Sequence, residues 1–448
     1  MKYRYRSQEE MKDSGVEWIG KIPKEWDVKR LKQVILEPLK YGANESAELD
    51  DTNLPRYIRI SDFDQDGNLR CETFKSLSYE KAKDYYLEEG DILFARSGAT
   101  VGKTFLFKRY KGKACFAGYL IKATANEKII ESEFLYKFTQ SKGYENWKNS
   151  IFMQATIQNI GADKYKELKL TIPKKKEQKK IVNFLLEKTS QFDSIISKKE
   201  ALIQRLEEAK KSLISEVVTG KVKVVKTSDG YELVERKKEE MKDSGVEWLG
   251  DVPREWGVKK LKYLFRIKKN IAGKIGYNVL SVTQSGIKIK DITKNEGQLS
   301  MDYSKYQIVE ISDFIMNHMD LLTGFVDCSK FNGVTSPDYR VFRLINDSNC
   351  KDYYNYIFQS CYYNRIFYGL AQGVSGMGRW RLQTDKFLNF TLPIPSIEEQ
   401  RQIAYALQIR LEDISKLKNA LSLHIKKLNQ AKQSLISEAV TGKIEILD

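Results

Sequence analysis

Residues 177–220 read EQKKIVNFLLEKTSQFDSIISKKEALIQRLEEAKKSLISEVVTG, and residues 399–442 read EQRQIAYALQIRLEDISKLKNALSLHIKKLNQAKQSLISEAVTG. Neither stretch contains a proline or an internal glycine, so each is expected to form one uninterrupted helix. At a rise of ~1.5 Å per residue, about 40 residues make a rod of roughly 60 Å. Each helix is expected to end at Gly220 or Gly442, because glycine accepts a positive φ at little cost.

A narrow stripe of side chains recurs along the first stretch in alternating steps of three and four, which is typical of a coiled-coil seam. Its members are Leu185, Lys188, Phe192, Ile195, Lys199, Leu202, Leu206, Ala209 and Leu213. The matching members 222 positions later are Leu407, Arg410, Ile414, Leu417, Leu421, His424, Leu428, Ala431 and Leu435. Because such a stripe must be buried, we expect the two helices to pair as an antiparallel coiled coil. The alternative is two unrelated amphipathic helices, each on its own globule.

A second repeat lies upstream of each long helix. Residues 11–32 read MKDSGVEWIGKIPKEWDVKRLK, and residues 241–262 read MKDSGVEWLGDVPREWGVKKLK. Two tryptophans eight residues apart around a Gly-x-x-Pro sequence are typical of an anchoring strap whose rings sit in preformed grooves. The candidates for docking a partner are Trp18, Trp26, Trp248 and Trp256. The alternative is a packed segment that closes its own domain.

Residues 221–240 join two copies of one unit. The sequence TGKVKV at their start matches TGKIEI at the end of the chain, and ERKKEE at their end stands where SQEE stands before Met11. The linker is therefore the tail of the first copy fused to the head of the second. We expect the C-terminus to lie near the N-terminus, and the two rods to be antiparallel about a pseudo-twofold axis.

The predicted fold class is α+β, with two mixed α/β domains separated by the pair of long antiparallel helices. Strand-like runs such as 92–95 and 339–344 alternate with helical stretches and turn residues. The ends of the two domains follow the repeat and their middles do not, which is expected if each domain reads a different target. The predicted boundaries are 1–172 for the first strap and domain, 173–220 for the first helix, 221–262 for the linker and second strap, 263–394 for the second domain, and 395–448 for the second helix and tail.

Composition indicates a soluble globular chain with a polyanionic partner. The 448 residues carry a formal net charge of +16, which favours nucleic acid. Five scattered cysteines form no CxxC pair, so neither a disulfide framework nor a zinc site is supported. No apolar run approaches the ~18 residues of a membrane span, and we expect a reducing, cytoplasmic compartment. The sequence contains no convincing catalytic or metal-binding constellation.

Residues 96–104, RSGATVGKT, are close to a phosphate-binding P-loop. Ser97 occupies the position of its first glycine, however, and strand-like residues follow where a helix is required. We expect a turn between two strands instead, from which Arg96, Ser97, Thr100 and Lys103 can reach a phosphate or a base edge.

Further DNA-binding candidates lie in the loop before each long helix and in polar turns of the second domain. Gln and Asn can pair with adenine, and Arg with guanine, in the major groove. These candidates are Gln154, Thr156, Gln158, Asn159, Gln284, Ser285, Asn317, His318, Ser375, Arg379 and Arg381. The alternative for any one of them is a plain solvated turn.

The repeated GVEW-x-G-x-(I/V)-P-x-EW strap, the repeated EQ…SLISE-x-VTGK rod and GDILFARSGATVGKT (90–104) resemble the specificity subunit, HsdS, of type I restriction-modification systems. The resemblance covers nearly the whole chain. It implies two target-recognition domains that each read half of a bipartite double-stranded DNA site, with the helix pair fixing the gap. It also implies a non-catalytic subunit without a cofactor of its own. Its implied partners are two methylation subunits, which use S-adenosylmethionine to methylate adenine, and through them a restriction subunit that uses ATP and Mg.

Three competing functions remain open at this point. One is a specificity subunit of a related bipartite-site system that cuts without a separate ATP-driven restriction subunit. The second is a stand-alone nuclease or methyltransferase, against which the missing motifs argue. The third is a scaffold that binds only protein through the tryptophan straps.

Overall fold

The computed structural model describes residues 2–64, 67–98, 100–152, 159–228, 230–292, 302–322, 324–373 and 380–447, with residues 372, 373 and 380 described by backbone alone. The chain forms two compact units. The first comprises residues 1–199 and 422–448, and the second comprises residues 200–421. Each unit therefore contains a segment of both long helices.

Short strands and helices precede the first long helix. The strands are β1 (Tyr3–Tyr5), β2 (Met11–Asp13), β3 (Lys21–Pro23), β4 (Asp27–Arg30), β5 (Lys40–Tyr41), β6 (Arg56–Ile58), β7 (Ile92–Ala95), β8 (Thr104–Leu106), β9 (Ala114–Phe116), β10 (Leu120–Ala123) and β11 (Lys169–Ile172). The helices are α1 (Tyr79–Ala82), α2 (Ser132–Phe138), α3 (Lys142–Phe152), α4 (Ala162–Tyr165) and the long α5 (Lys175–Val218).

A similar series follows α5 and ends in the second long helix and a terminal strand. The strands are β12 (Val222–Thr227), β13 (Gly230–Glu235), β14 (Met241–Asp243), β15 (Asp251–Pro253), β16 (Gly257–Lys260), β17 (Phe265–Lys268), β18 (Leu280–Thr283), β19 (Gly286–Ile289), β20 (Gln307–Val309), β21 (Phe314–Met316), β22 (Val326–Cys328), β23 (Gly333–Thr335), β24 (Arg340–Leu344), β25 (Gln372–Gly373), β26 (Trp380–Arg381), β27 (Thr391–Ile394) and β28 (Ile444–Ile446). The helices are α6 (Lys351–Tyr363), α7 (Ile366–Gly369), α8 (Thr384–Asn389) and α9 (Ile397–Val440).

Each unit contains a four-stranded antiparallel sheet with the same strand order. The order is β5-β10-β7-β8 in the first unit and β17-β24-β21-β22 in the second. Ile92 and Phe314 lie 222 positions apart, and their partners Ala123 and Phe342 lie 219 positions apart. The repeat therefore continues through the middle of both domains with a small change of offset. Outside this sheet the middles differ as expected, since β6 pairs with β9 in parallel in the first unit, whereas β18 pairs with β19 and β20 with β23 in antiparallel fashion in the second.

The straps close their own units. Each forms a small hairpin, β2-β3 or β14-β15, and its next strand pairs with the strand that precedes a long helix, β4 with β11 and β16 with β27. A strap thus joins the start of a domain to the strand that leads into its rod.

The chain ends meet as predicted. In the first unit β1 pairs antiparallel with β28, with Tyr3 opposite Ile446. In the second unit the linker forms the hairpin β12-β13 instead. The hairpin is the continuous counterpart of the pair formed by the two chain ends, which supports our interpretation of the linker as a tail fused to a head.

The two long helices pack together in antiparallel fashion within each unit. In the first unit Lys432 pairs with Asp193, and Ile436 and Thr189 line the same cavity. Residue numbers therefore increase along α9 in the direction in which they decrease along α5. In the second unit Lys418 pairs with Glu207, and residues 213–214 of α5 share a hydrophobic cluster with residues 407–411 of α9. The predicted α+β class with two repeated mixed domains is confirmed.

The predicted seam is wrong at every second position except Lys188, which is half-buried. Along α5, Leu185, Phe192, Lys199, Leu206 and Leu213 are buried or half-buried as expected. Ile195 is 45% exposed, and Ile196 lies on the buried side in its place. The other exposed members are Leu202, Ala209, Arg410, Leu417, His424 and Ala431.

The observed seam alternates steps of four and three. Its alternate members lie one residue after the predicted ones, for example Ile196 after Ile195 and Ile203 after Leu202. Adjacent apolar pairs such as Ile195 and Ile196 fit either register, so periodicity alone could not choose. The observed register turns Lys418 and Lys432 toward acidic side chains of the facing helix, where they form ion pairs.

A carboxylate near the start of each long helix holds the strap. Glu177 accepts hydrogen bonds from Trp26 Nε1 at 2.9 Å and from Arg6 at 2.8 Å. Glu399 does the same for Trp256 Nε1 at 2.8 Å and for a second arginine, Arg236, at 2.8 Å. Because both donors are largely buried, these charge-assisted bonds are expected to be strong.

The glutamine that follows each carboxylate ties the rod to its domain. Gln178 is fully buried, accepts the backbone N–H of Glu131 at 2.7 Å and donates to Ile129 O at 2.9 Å. The equivalent Gln400 accepts the N–H of Cys350 at 3.0 Å. The repeated Glu-Gln pair is thus a structural joint.

The glycine after each long helix packs on the same strap. Gly220 has φ +79° and Gly442 has φ +71°. A Cβ on Gly442 would lie 2.4 Å from Pro23 Cδ and 3.1 Å from the ring of Trp26. Glycine is therefore required there both for its backbone conformation and for its lack of a side chain.

We predict that Gly442→Ala destabilises the chain more than Gly15→Ala. Gly15 also has a positive φ, of +67°, but no atom lies within 4 Å of its Cβ position. Gly15→Ala should cost about 1–2 kcal/mol for the left-handed backbone. Gly442→Ala should cost ~1–3 kcal/mol more for overpacking against the strap. Urea midpoints measure both, and equal losses would contradict the close packing of the glycine.

We also predict that Glu177→Ala lowers the free energy of unfolding by about 2–3 kcal/mol, because it leaves Trp26 Nε1 without its acceptor and removes the carboxylate that pairs with Arg6. Glu208→Ala is the matched control, since Glu208 is exposed on the same helix and its removal should change stability by less than ~0.5 kcal/mol. Similar unfolding curves for the two variants would argue against the joint.

Candidate functional site

Two chain segments of the first unit meet at the carboxyl end of β7. Ser97 forms an antiparallel β-bridge with Asn159, and the N–H of Ile160 donates to Arg96 O at 2.9 Å. Tyr165 Oη donates to the carbonyl of Ala95 at 3.0 Å and fixes the base of the junction. Predicted residues that are about 60 positions apart are thus neighbours, which their spacing in the sequence did not indicate.

Exposed tyrosines surround this junction. The Arg96 guanidinium lies 4.9 Å from the centroid of the Tyr41 ring, a cation–π distance. Tyr119 is 64% exposed, and its carbonyl accepts the Arg96 N–H at 3.0 Å. Neither tyrosine was among the candidates chosen from the sequence. Their flat rings beside an arginine provide stacking surface for bases.

The segment after Arg96 is a turn between β7 and β8, as predicted. Gly102 N donates to Ala95 O at 2.8 Å, and Lys103 N donates to Thr100 O at 2.9 Å. Lys103 is exposed and Thr100 is half-buried. The candidates Gln154, Thr156 and Gln158 lie outside the described residues.

The second unit contains the same junction 222 positions later. The N–H of Leu382 donates to His318 O at 3.0 Å, which matches the bond from Ile160 to Arg96. The exposed Arg381 of this segment is the neighbour of Leu382 and a DNA-binding candidate. The two units therefore share a backbone junction and present different side chains at it.

The side chain of His318 does not fit its predicted DNA contact. The residue is only 7% exposed. Burial, together with the charges of Arg340 and Arg381, lowers the pKa of His318 to about 3. The ring is therefore neutral and internal near neutral pH, so we remove it from the set of candidate contacts.

Arg340 is a buried cation that the sequence analysis missed. It donates to Leu382 O at 3.1 Å and to Thr384 Oγ1 at 3.2 Å, and its guanidinium lies 4.5 Å from the Phe387 ring centroid. Burial lowers its pKa to about 10, so it remains charged. Its bonds hold the segment that carries Arg381, which makes it a positioning residue.

The remaining candidates of the second unit are spread over two turns. Gln284 and Ser285 are exposed in the turn between β18 and β19. Asn317 is half-buried, and its Oδ1 accepts the N–H of Met319 at 3.2 Å. Ser375 and Arg379 lie outside the described residues.

The tryptophans of the straps face inward to different degrees. Trp26 and Trp256 are 1% exposed, so a partner cannot dock directly on their rings, and the packed-segment alternative describes them better. Trp18 and Trp248 are half-buried. Trp248 stacks on Phe390 at 5.1 Å and donates to a backbone carbonyl. Only this second pair retains surface for a partner.

The part of the chain that the structure describes contains neither a cluster of potential metal ligands nor a helix able to span a membrane. No three His, Cys, Asp or Glu residues there are grouped so that they could bind a metal ion. None of the helices there combines the length and apolarity needed to span a membrane.

Comparison with known proteins gives a consistent result. The family model described as "Type I restriction modification DNA specificity domain" matches residues 23–208 and 253–427. The MjaVIII specificity subunit of Methanocaldococcus jannaschii is 24% identical, over 95% of this chain and 94% of its own. The EcoKI specificity subunit of Escherichia coli is 20% identical, over 95% and 90%.

A solved structure has the same fold. It was solved as part of work on "complex assembly and conformational transition of the type I R-M system". It aligns with a TM-score of 0.67 at 15% identity and covers 94% of this chain and 99% of its own. With the family model matched once in each repeat, the chain belongs to the family of type I restriction-modification DNA specificity subunits.

Proposed function

We propose that each unit reads one half of a bipartite DNA site and that α5 and α9 set the spacing between the halves. The observation that carries this proposal is the shared junction, Arg96 to Ile160 and His318 to Leu382, on which the two units display different side chains. A shared backbone with different exposed side chains is expected of two target-recognition domains that bind different DNA sequences.

The chemistry of the exposed Asn159 and Arg381 and of the half-buried Arg96 suits readout in the major groove. Arg96 and Arg381 can form bidentate hydrogen bonds with guanine, and Asn159 can pair with adenine. The net charge of +16 favours the phosphate backbone. The sequence-independent part of binding is expected to fall ~10³-fold or more between about 50 and 200 mM salt.

The family membership supplies the proposed partners. This chain would recruit two methylation subunits that methylate adenine with S-adenosylmethionine, and through them a restriction subunit that uses ATP and Mg. The chain itself contributes recognition and no catalytic step, and it acts in the cytoplasm. A bipartite-site system without a separate restriction subunit is not favoured, since the curated relatives are named as type I subunits.

We predict that Arg96→Ala and Arg381→Ala act on different half-sites. Each should weaken binding by about 1–3 kcal/mol when its own half-site is intact, because a bidentate contact to a base is lost. Each should leave discrimination in the other half unchanged. Binding to duplexes with one scrambled half-site, in the complex with methylation subunits, measures this, and loss of discrimination in both halves would contradict modular reading.

We predict that removal of one heptad from each long helix, residues 196–202 and 418–424, shortens the spacer. Seven residues correspond to ~10 Å of helix, or about three base pairs. The methylated adenines should move closer by that amount, while the half-site sequences remain the same. Removal of one heptad from α5 alone is the control and should impair folding, because it shifts the pairing of the helices. An unchanged spacer in the doubly shortened chain would rule out the rods as its determinant.

A further inference from the structure

A cavity of about 570 Å³ in the first unit lies beside the turn that carries Lys103. Its walls come from this turn, from α2 and α3, and from the segments of α5 and α9 that belong to the first unit. Five lysines line it: Lys103, Lys108, Lys137, Lys148 and Lys432. The acidic residues of its lining are Asp64, Glu145 and Asp193. The lining therefore carries two more positive than negative charges.

Lys137 is the buried member of this group. It is 9% exposed, and the hydrogen bond described for its ammonium is a long contact of 3.4 Å to the neutral Gln140 Oε1. No carboxylate within the described residues forms an ion pair with it. The nearby acids are engaged elsewhere, since Glu133 pairs with Lys108 and Asp193 pairs with Lys432.

The electrostatics agree with this geometry. Burial, with the ammonium groups of Lys432 and Lys108, lowers the pKa of Lys137 to about 8. An uncompensated cation in such a place is costly unless an anion binds beside it. Lys148, by contrast, is neutralised by Glu145 at 2.7 Å.

The second unit lacks three of the five lysines at the equivalent positions. The Gln-Ser pair at 140–141 recurs at 359–360, which gives an offset of 219. The same offset relates Glu131 to Cys350, whose backbone N–H groups donate to Gln178 and Gln400. At this offset Lys137 corresponds to Tyr356 and Lys148 to Phe367. At the offset of 222 in the preceding turn, Lys103 corresponds to Phe325. Lys103, Lys137 and Lys148 are therefore not part of the shared frame, whereas Lys108 and Lys432 recur as Lys330 and Lys210 at the offset of 222. The loss of the buried Lys137 and of Lys103 at the rim favours a role specific to the first unit.

We propose that this cavity binds a phosphate group, with Lys137 as its buried cation and Lys103 at its rim. Phosphate suits the site because its oxygens can accept from several ammonium and amide donors at once. The phosphate can come from the backbone of bound DNA, which would deepen the proposed function, or from a free phosphate compound. The chemistry at the cavity is the same in both cases.

The test compares the wild-type chain with Lys137→Gln and with Lys128→Gln, a control that removes one exposed charge of the same unit outside the cavity. Thermal unfolding is followed with sodium pyrophosphate or with sodium chloride at equal ionic strength. Pyrophosphate should raise the Tm of the wild type and of Lys128→Gln but not that of Lys137→Gln. Without anions, Lys137→Gln should unfold at the wild-type Tm or above it, because it loses an unpaired buried charge.

A second arm uses a 30-base-pair duplex of mixed sequence to separate the two sources. If the phosphate belongs to DNA, Lys137→Gln should lose about 3.5-fold less affinity than the wild type between 50 and 200 mM salt, the effect of one phosphate contact. Lys128→Gln should follow the wild type. An unchanged salt dependence together with a lost pyrophosphate effect assigns the site to a free phosphate compound.

Two results overturn the phosphate site: an undiminished pyrophosphate effect in Lys137→Gln, or equal losses in both variants, which would reflect total charge alone. Failure of the wild type to bind any duplex would overturn the proposed function instead. The pyrophosphate arm would still decide the cavity on its own.

Discussion

The structure of each unit depends on one partly buried interaction, in which the carboxylate of Glu177 or Glu399 accepts hydrogen bonds from an indole N–H and a guanidinium. It joins four parts of the unit. These are the start of one long helix, the strap, the arginine that directly follows β1 or β13 and, through the packed tryptophan, the glycine that ends the other helix. In the first unit Arg6 also donates to the carbonyl of Gly442 at 2.9 Å. A long helix has little to fix its angle at a free end. This joint fixes the angle between the long helix and the domain that carries the candidate DNA contacts.

The repeat makes the division between frame and variable surface visible. The sheet order, the Glu-Gln joint and the junction beside β7 or β21 are the same in both units. The support beneath the junction is not. Arg340 holds it in the second unit, whereas the position at the same sheet offset in the first unit is Ile121. The two units thus reach one backbone geometry with different interior chemistry, which leaves the exposed residues free to differ.

Much of the architecture could be predicted from the sequence because its signals are long and repeated. Forty residues without a helix breaker define a rod, and a duplicated VTGK defines its end. The register of the seam could not be predicted in the same way, because Ile195 and Ile196 are both apolar. The observed register is the one in which Lys418 and Lys432 form ion pairs with the facing helix. The shared sheet was missed because the domains diverge in sequence while their strand pairing is kept.

The candidate site was predicted only in part for a related reason. Polar residues in turns identify a surface but not its neighbours, so the bridge from Ser97 to Asn159 and the stacking of Arg96 on Tyr41 needed the folded chain. His318 was a candidate because its segment aligns with the one that begins at Arg96, but its side chain is only 7% exposed. A buried arginine or lysine, such as Arg340 or Lys137, gives no signal in the sequence that distinguishes it from an exposed one.

The equivalence of the terminal pair β1-β28 and the hairpin β12-β13 makes the choice of chain ends arbitrary for this fold. A circularly permuted chain, opened at the hairpin turn near Gly230 and joined from Leu447 to Lys2, would keep every ladder in both units. Leu447 N already donates to Lys2 O at 3.0 Å, so the joining peptide would be short. The cyclic order of strands and helices is therefore the same whether the chain is opened between β28 and β1 or between β12 and β13.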